Sequence, residues 1–513
     1  MPEFSSPGVY KDEKAAGAKP IEAVGTSTAG FLGETERGPT NPRLVTSWLE
    51  YQRIYGAYFG VTKHLPYAVE GFFNNGGTQL YIARVVSFGV SKASLTLNDG
   101  CTAVLVIEAI GEGVWGKRIA VRTKKNLDNK TFKLTVFYWK NNIATAFNPD
   151  DSANKNQTQP TVVEVFNCVS VERDSPNYFG TIVNSNSNLI TMCAPTNVKP
   201  AIPGDTANDI PMFLGDVTGT ERSPTIVDFR GDGTLPLGNK RGLLSFEAIS
   251  DISILYVPDM LSVSGLPDSV IAQCEKLRYR FAIIDVPNGT QNPSITTKCG
   301  LYTKYAALYC PWIKIIDPVS SSEILVPPGG HIAGIYARSD AQIGVNRAPS
   351  NQIVLGAVGL EYVFNKKIQD TLNSIGINCL RESVGKGIQV WGARTLSDDP
   401  LWKYVNVRRL FIFIEKSIEN GTQWAVFEPN NEKLWAKVNQ TISQFLATVW
   451  TSGALMGTTP QEAFFVRCDR TTMTQDDIDN GRLIVVIGVA PLKPAEFVIF
   501  RIGQWLGGSA VTE

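Results

Sequence analysis

The chain has 513 residues, 43% of them hydrophobic, and its 48 Lys and Arg balance its 48 Asp and Glu. That length exceeds one ordinary core and predicts about three domains, and the zero net charge supplies no long-range field for nucleic acid, an anionic membrane or an acidic substrate. The opening MPEFSSPGVYKDEK has no basic segment followed by an apolar one, and the longest apolar stretch, residues 483–490, is too short to cross a bilayer, so folding in the cytosol without membrane insertion is expected.

Residues 1–20 carry Pro2, Pro7, Gly8, Gly17 and Pro20, and only Phe4, Val9 and Tyr10 can bury much apolar area. Such a segment does not fold alone and reads as an extended arm. From 21 to 90 the pattern becomes regular. Residues 24–33 read as a strand, and Ser47-Trp48-Leu49-Glu50 has the capping-box spacing that opens a short helix. Residues 65–73 read as a second helix, stopped at Asn74-Asn75-Gly76-Gly77, and 79–86 as a strand.

Between 91 and 240 the composition shifts to Asn, Thr, Ser and Gly, with short alternating runs at 131–137 and 161–165. This predicts a β-rich domain, inserted or appended, with a long loop over 141–159. Residues 241–317 alternate strand and helix: strands at 252–257, 281–286 and 312–316, helices at 268–278 and 295–309. Such alternation implies a parallel sheet with right-handed crossovers. A helix over 358–375, with Leu360, Val363, Phe364, Ile368 and Leu372 on one stripe and Gly376 as its stop, would cover one face. The expected fold class is thus multidomain: an α/β domain from 21–90 and 241–380, the β-rich 91–240, and an α+β domain over 381–494.

In that last region the run Leu410-Phe411-Ile412-Phe413-Ile414 reads as buried, with strand and helix equally compatible. Residues 431–450 form a helix, because Leu434, Val438, Ile442, Phe445 and Val449 repeat at helical spacing. Residues 495–513 form a terminal strand or arm, apolar on both faces through Phe497-Val498-Ile499-Phe500-Arg501-Ile502.

Motifs suggestive of chemistry fail on context. Gly111-Glu112-Gly113-Val114-Trp115-Gly116-Lys117-Arg118 satisfies two glycine-rich nucleotide patterns, but a strand follows instead of a helix, and Arg118 stands where a phosphate loop needs Ser or Thr. Asp259, Asp285 and Asp317 fall at strand ends and could serve a hydrolase-like enzyme, but each neighbours a proline, as loop-capping acids do. His64 and His331 are the only histidines and read as loop residues. The eight cysteines form no CxxC pair and read as reduced packing residues, so no metal or cofactor is expected. Arg394, Arg408 and Arg409 suit an anion or, better, structural ion pairs. Trp435 and Trp450 suit core more than a partner-binding face.

The two ends have complementary needs. A terminal strand apolar on both faces needs cover and an edge partner, and an arm too poor to fold can add to another sheet; both are devices of β-strand addition. Pro7-Gly8-Val9-Tyr10, Phe31-Leu32-Gly33, Arg37-Gly38-Pro39, Tyr81-Ile82-Ala83-Arg84-Val85, Val326-Pro327-Pro328-Gly329-Gly330, Trp391-Gly392-Ala393-Arg394, Phe427-Glu428-Pro429-Asn430 and Pro494-Ala495-Glu496-Phe497 together resemble contractile tail sheath proteins. Gly113-Val114-Trp115-Gly116 matches a turn of the same family.

The resemblance implies a subtilisin-like α/β domain without a working triad and a structural, non-enzymatic role. Its expected partners are further copies of the chain in stacked hexameric rings, an inner tube protein, and baseplate and terminator or cap proteins. Such subunits assemble in a bacterial cytoplasm into a phage tail or a released tail-like particle. Inter-subunit strand addition would use Val9, Tyr10, Phe497, Val498, Ile499, Phe500 and Ile502. Asn431, Glu432, Lys433 and Lys437 are the candidate contact with the tube. A surface-array or adhesive protein built on the β-rich region is the further alternative.

Overall fold

The computed structural model describes residues 20–143, 145–236, 240–258, 260–290, 300–383 and 385–497. Its architecture is multidomain, α/β and α+β, around three main apolar clusters.

The first cluster surrounds a nine-stranded sheet. The amino-terminal part contributes β1 (Ala29–Gly33), β2 (Arg43–Val45), α1 (Trp48–Tyr55), α2 (Leu65–Asn74) and β3 (Leu80–Arg84). Residues 24–28 are not strand; they run ahead of β1. Ser47 caps α1 by accepting from Glu50 N–H at 3.2 Å, whereas Glu50 reaches back to Thr46 N–H at 2.8 Å, one residue earlier than a capping box requires.

The second cluster lies in the β-rich part: β4 (Ser94–Asp99), β5 (Thr102–Ala109), β6 (Ile119–Lys125), β7 (Phe132–Tyr138), β8 (Val162–Val169), α3 (Phe179–Asn186), β9 (Ile190–Cys193) and β10 (Met212–Phe213). These strands form two sheets, ordered β4-β5-β9 and β10-β6-β7-β8. After the short helices α4 (Ile226–Arg230) and α5 (Gly242–Ser245), the chain returns to the large sheet through β11 (Ile254–Tyr256), α6 (Leu266–Leu277), β12 (Phe281–Asp285) and β13 (Ala306–Cys310). Strands β3-β1-β11-β12-β13 run parallel, as the strand–helix alternation implies.

Two expectations fail here. Residues 306–310 are strand, not the end of a helix; fully buried between two neighbours, Ala-Ala-Leu-Tyr-Cys loses its local preference to its central position in the sheet. The rest of that predicted helix falls partly on 291–299, outside the described residues. Residues 313–316 are strand, but β14 (Ile313–Ile316) leaves the parallel sheet to pair antiparallel with β15 (Glu323–Val326). The turn between them is closed by Asp317, which accepts from Val319 and Ser320 N–H at 3.2 and 3.0 Å.

Next come α7 (Gly329–Gln342), β16 (Gln352–Ile353), β17 (Gly359–Leu360), α8 (Lys366–Ser374), β18 (Ile377–Ser383) and β19 (Gly387–Val390). β18 pairs parallel with β13, and β19 and β16 finish that edge antiparallel. The 358–375 helix is shorter than its stripe suggested: β17 pairs with β14, Val363 is 74% exposed, and α8 begins only after Asn365, whose side chain accepts from Ile368 N–H at 2.9 Å. His331 lies in α7, not in a loop, because the proline pair before Gly329 suits a helix start, where no N–H is needed. Gly330 and Gly334 let α7 approach α2 closely; a Cβ on Gly330 would stand 2.5 Å from Ala68 Cα.

The third cluster belongs to α9 (Val405–Gly421), α10 (Glu432–Thr451), α11 (Pro460–Ala463), β20 (Phe464–Arg467), α12 (Gln475–Asp479) and β21 (Val486–Val489). The ambiguous run at 410–414 is thus the middle of a helix, and 431–450 is a helix as its periodicity predicts. Trp435 is buried in this cluster, and Trp450 packs partly buried against it.

Candidate assembly interface

Two chain segments are fastened to opposite ends of α9. Approaching β1, residues 21–26 lie along that helix: Ile21 packs on Gly421, Val24 N–H donates to Ser417 Oγ at 3.2 Å, and Thr26 C=O accepts from Arg409 at 2.8 Å. Arg409 makes a two-pronged ion pair with Asp340 of α7, at 2.9 and 2.6 Å, and stacks over the Tyr336 ring. Thr26 Oγ1 completes the knot by donating to Asp340 at 2.7 Å. The amino-terminal segment therefore leaves at the carboxyl end of α9.

The carboxyl-terminal segment leaves at the other end. Leu492 N–H donates to Ala454 C=O at 3.4 Å, and Leu492 C=O accepts from Asn406 at 3.3 Å. Glu496 then receives Arg394 in two hydrogen bonds of 2.7 and 2.6 Å, with Asn373 at 2.9 Å and the hydroxyl of Tyr404, the residue capping α9, at 3.1 Å. Burial alone would raise this carboxyl, but the hydrogen bonds and charge of Arg394, the Asn373 bond and the charge of Lys403 hold it down at about 2. Phe497, next along, is 72% exposed.

Between these anchors lies a small sheet. β20 and β21 pair antiparallel, Phe464 opposite Val489, and among the described residues neither pairs with any other strand. Two strands alone are marginal, and each leaves an edge able to take a third. A groove of about 820 Å³ follows β21, lined by Leu483, Val485 and Ile487 on one side and by Leu434, Val438 and Ile442 of α10 beneath. Phe427 at its rim is 102% exposed and holds φ 69°.

Of the residues expected to exchange strands, Phe497 is the described one; Val9, Tyr10, Val498, Ile499, Phe500 and Ile502 lie outside the described residues. Of the expected tube-contact set, Asn431 caps α10, Glu432 pairs with Arg470 at 2.7 Å, Lys437 lies over Trp424, and Lys433 is exposed.

The residues that hinted at chemistry have structural work. Asp285 accepts from buried Tyr256 at 2.6 Å, and Asp317 closes the β14–β15 turn; Asp259 lies outside the described residues. His331 is sealed between helices, and burial lowers its pKa to about 4. The glycine motif opens no helix at its last glycine. A Cβ on Gly111 would overlap Gly38 C=O, and one on Gly116 would stand 2.7 Å from Ala93 Cβ, so these glycines serve close packing. Among the described residues no group of three His, Cys, Asp or Glu could hold a metal ion, and the described cysteines are free thiols. No helix among them is long and apolar enough to cross a membrane.

Residues 243–396 match the family model of the phage tail sheath protein central domain, and residues 397–504 that of the phage tail sheath C-terminal domain, together half of the chain. The chain belongs to the phage tail sheath family. This sheath protein is a structural subunit, and it is 28% identical to the tail sheath protein of Burkholderia phage BcepMu over 501 residues, covering 93% of this chain and 92% of that one. It is 25% identical to a putative prophage major tail sheath protein of Pseudomonas aeruginosa strain UCBPP-PA14 over 263 residues, 49% of this chain and 66% of that one. Its fold resembles the PVC sheath complex of an extracellular contractile injection system in the contracted state, with TM-score 0.59, 22% identity and 99% of both chains covered. It also resembles the contracted helical sheath of the anti-feeding prophage, with TM-score 0.57, 22% identity and coverage of 98% and 99%.

Sequence reasoning about the sheath protein missed Glu496, Asp340, Asn373 and Tyr404 as anchors. Arg394 and Arg409 were visible as candidate ion-pair residues, but their partners lie 102 and 69 residues away along the chain, beyond any spacing rule.

Proposed function

We propose that this subunit polymerises by β-strand addition, the β20–β21 sheet accepting the amino-terminal arm of one neighbour and the carboxyl-terminal strand of another. The observation that carries this reading is the two-stranded sheet, with no further strand partner among the described residues, beside which both chain ends are anchored at their roots. Main-chain hydrogen bonds would supply affinity, and the apolar groove the side-chain contacts.

On this reading the subunits stack as hexameric rings around an inner tube, with baseplate and cap proteins at the ends. Contraction is a switch between two packings of one subunit that drives the tube outward while the strand joints persist. The α/β part serves as a rigid, subtilisin-like frame without its chemistry. Asn431, Glu432, Lys433 and Lys437 form the exposed start of α10 that would face the tube. Assembly belongs in a bacterial cytoplasm, in a phage tail or a tail-like particle.

Electron microscopy of purified protein tests this directly: the expected result is rings or helical tubes. Deleting residues 1–19, or ending the chain after Phe497 so that the Glu496 anchor is kept, should leave a folded subunit that no longer polymerises. Normal polymers from either truncation would overturn the strand-exchange account.

A further inference from the structure

We propose that in the free subunit the groove along β21 is filled by the chain's own amino-terminal arm, residues 1–19, so that each subunit caps its docking site until a neighbour's arm replaces it. This rests on the strand-addition reading above.

Position argues for it first. Ile21, where the described chain begins to pack, sits on Gly421, and the adjoining Ile418 and Thr422 line the groove. The arm is therefore rooted at the groove's own wall. From residue 20 back to Tyr10, an extended chain at about 3.3 Å per residue reaches roughly 33 Å, ample to turn and lie along the adjacent edge.

The other end of the chain is rooted farther from the groove. Its root, Glu496, is bound to Tyr404 at the amino end of α9, and at about 1.5 Å per residue that helix puts roughly 25 Å between the two roots. The apolar run Val498-Ile499-Phe500 starts two residues after this anchor, a reach of about 7 Å.

Chemistry agrees with position. The groove offers Leu434, Val438, Val485 and Ile487, and the arm brings Phe4, Val9 and Tyr10. Phe427, a bulky residue held in the left-handed region, leaves its whole ring exposed on the rim, apolar surface that an arm lying in the groove would cover. Tethering also favours the chain's own arm: a short flexible linker gives an effective concentration in the millimolar range, about a thousandfold above free subunits at micromolar concentration. Exchange between subunits then has to be driven by the rest of the interface.

The test uses the full chain held monomeric at low concentration, verified by sedimentation, and a fluorescent peptide of residues 1–20. The peptide should bind the full-length V9K/Y10K variant at least tenfold more tightly than the wild type, whose own arm competes. In the V9K/Y10K background, adding F427D at the rim should weaken peptide binding tenfold or more, and because Phe427 is fully exposed this change leaves folding intact. Equal binding to wild type and V9K/Y10K overturns self-capping and leaves strand addition standing. Binding to neither overturns both. Indifference to F427D removes the groove as the site, and a wild type that polymerises at every concentration without a monomer phase shows that the arm does not cap.

Discussion

Arg409 and Asp340 face each other through two hydrogen bonds of 2.9 and 2.6 Å, both side chains only 3% exposed, and so join α9 to α7 beneath the carbonyl of Thr26. Truncating one partner leaves the other charge buried and uncompensated. Asp340→Ala is expected to lower unfolding free energy by about 3 kcal/mol, while the double change to Asp340→Leu with Arg409→Met recovers most of it. Denaturant titration of the two variants checks both halves.

Glu496 gives a pH signature. Its folded pKa of about 2 lies below its ordinary value near 4.5, so its contribution to anchoring is complete above about 4.5 and is lost as pH falls toward 2. Hydrogen exchange over residues 490–496 should rise across that window in the wild type. In Glu496→Gln it should be high already at neutral pH and change little with acid.

Gly71 of α2 lies flat against the His331 ring, and a Cβ there would overlap the imidazole. His331 is buried in α7 against α2 and has little room to move. Gly71→Ala should therefore cost about 1–3 kcal/mol despite its better helix propensity, an overpacking penalty visible as a lower melting temperature.

Asn431 can be separated into capping and contact roles. Its side chain accepts from Lys433 and Leu434 N–H at 3.1 and 3.0 Å, so Asn431→Ala should destabilise the subunit by about 1 kcal/mol and Asn431→Asp by much less. If thermal melts show no difference between them, the side chain is not needed as a cap.

Periodicity made some elements legible and others not. The α10 stripe was plain because Leu434, Val438, Ile442 and Phe445 all pack into one cluster. The apparent stripe through Leu360, Phe364 and Leu372 had the same spacing, yet Leu360 is buried from a strand and only Leu372 from within α8, because side chains from different elements can reach one core. Ala306–Cys310 was misread for the opposite reason: a strand buried on both faces has no alternation to display. The anchors of the candidate interface were half visible, since an arginine beside aromatic residues announces a need for an anion but not which carboxylate meets it.

The attachment of the two chain ends to opposite ends of α9 fixes a load path. A pull on both ends at once is carried as shear along the axis of that one helix, between the Ile21–Gly421 contact at its carboxyl end and the Glu496–Tyr404 hydrogen bond at its amino end. Shear loads many hydrogen bonds and packed side chains together instead of peeling them one after another. The β-rich part, whose cluster is separate, stands outside that line of force, so its loops can vary in length and chemistry without weakening the chain's hold on its neighbours.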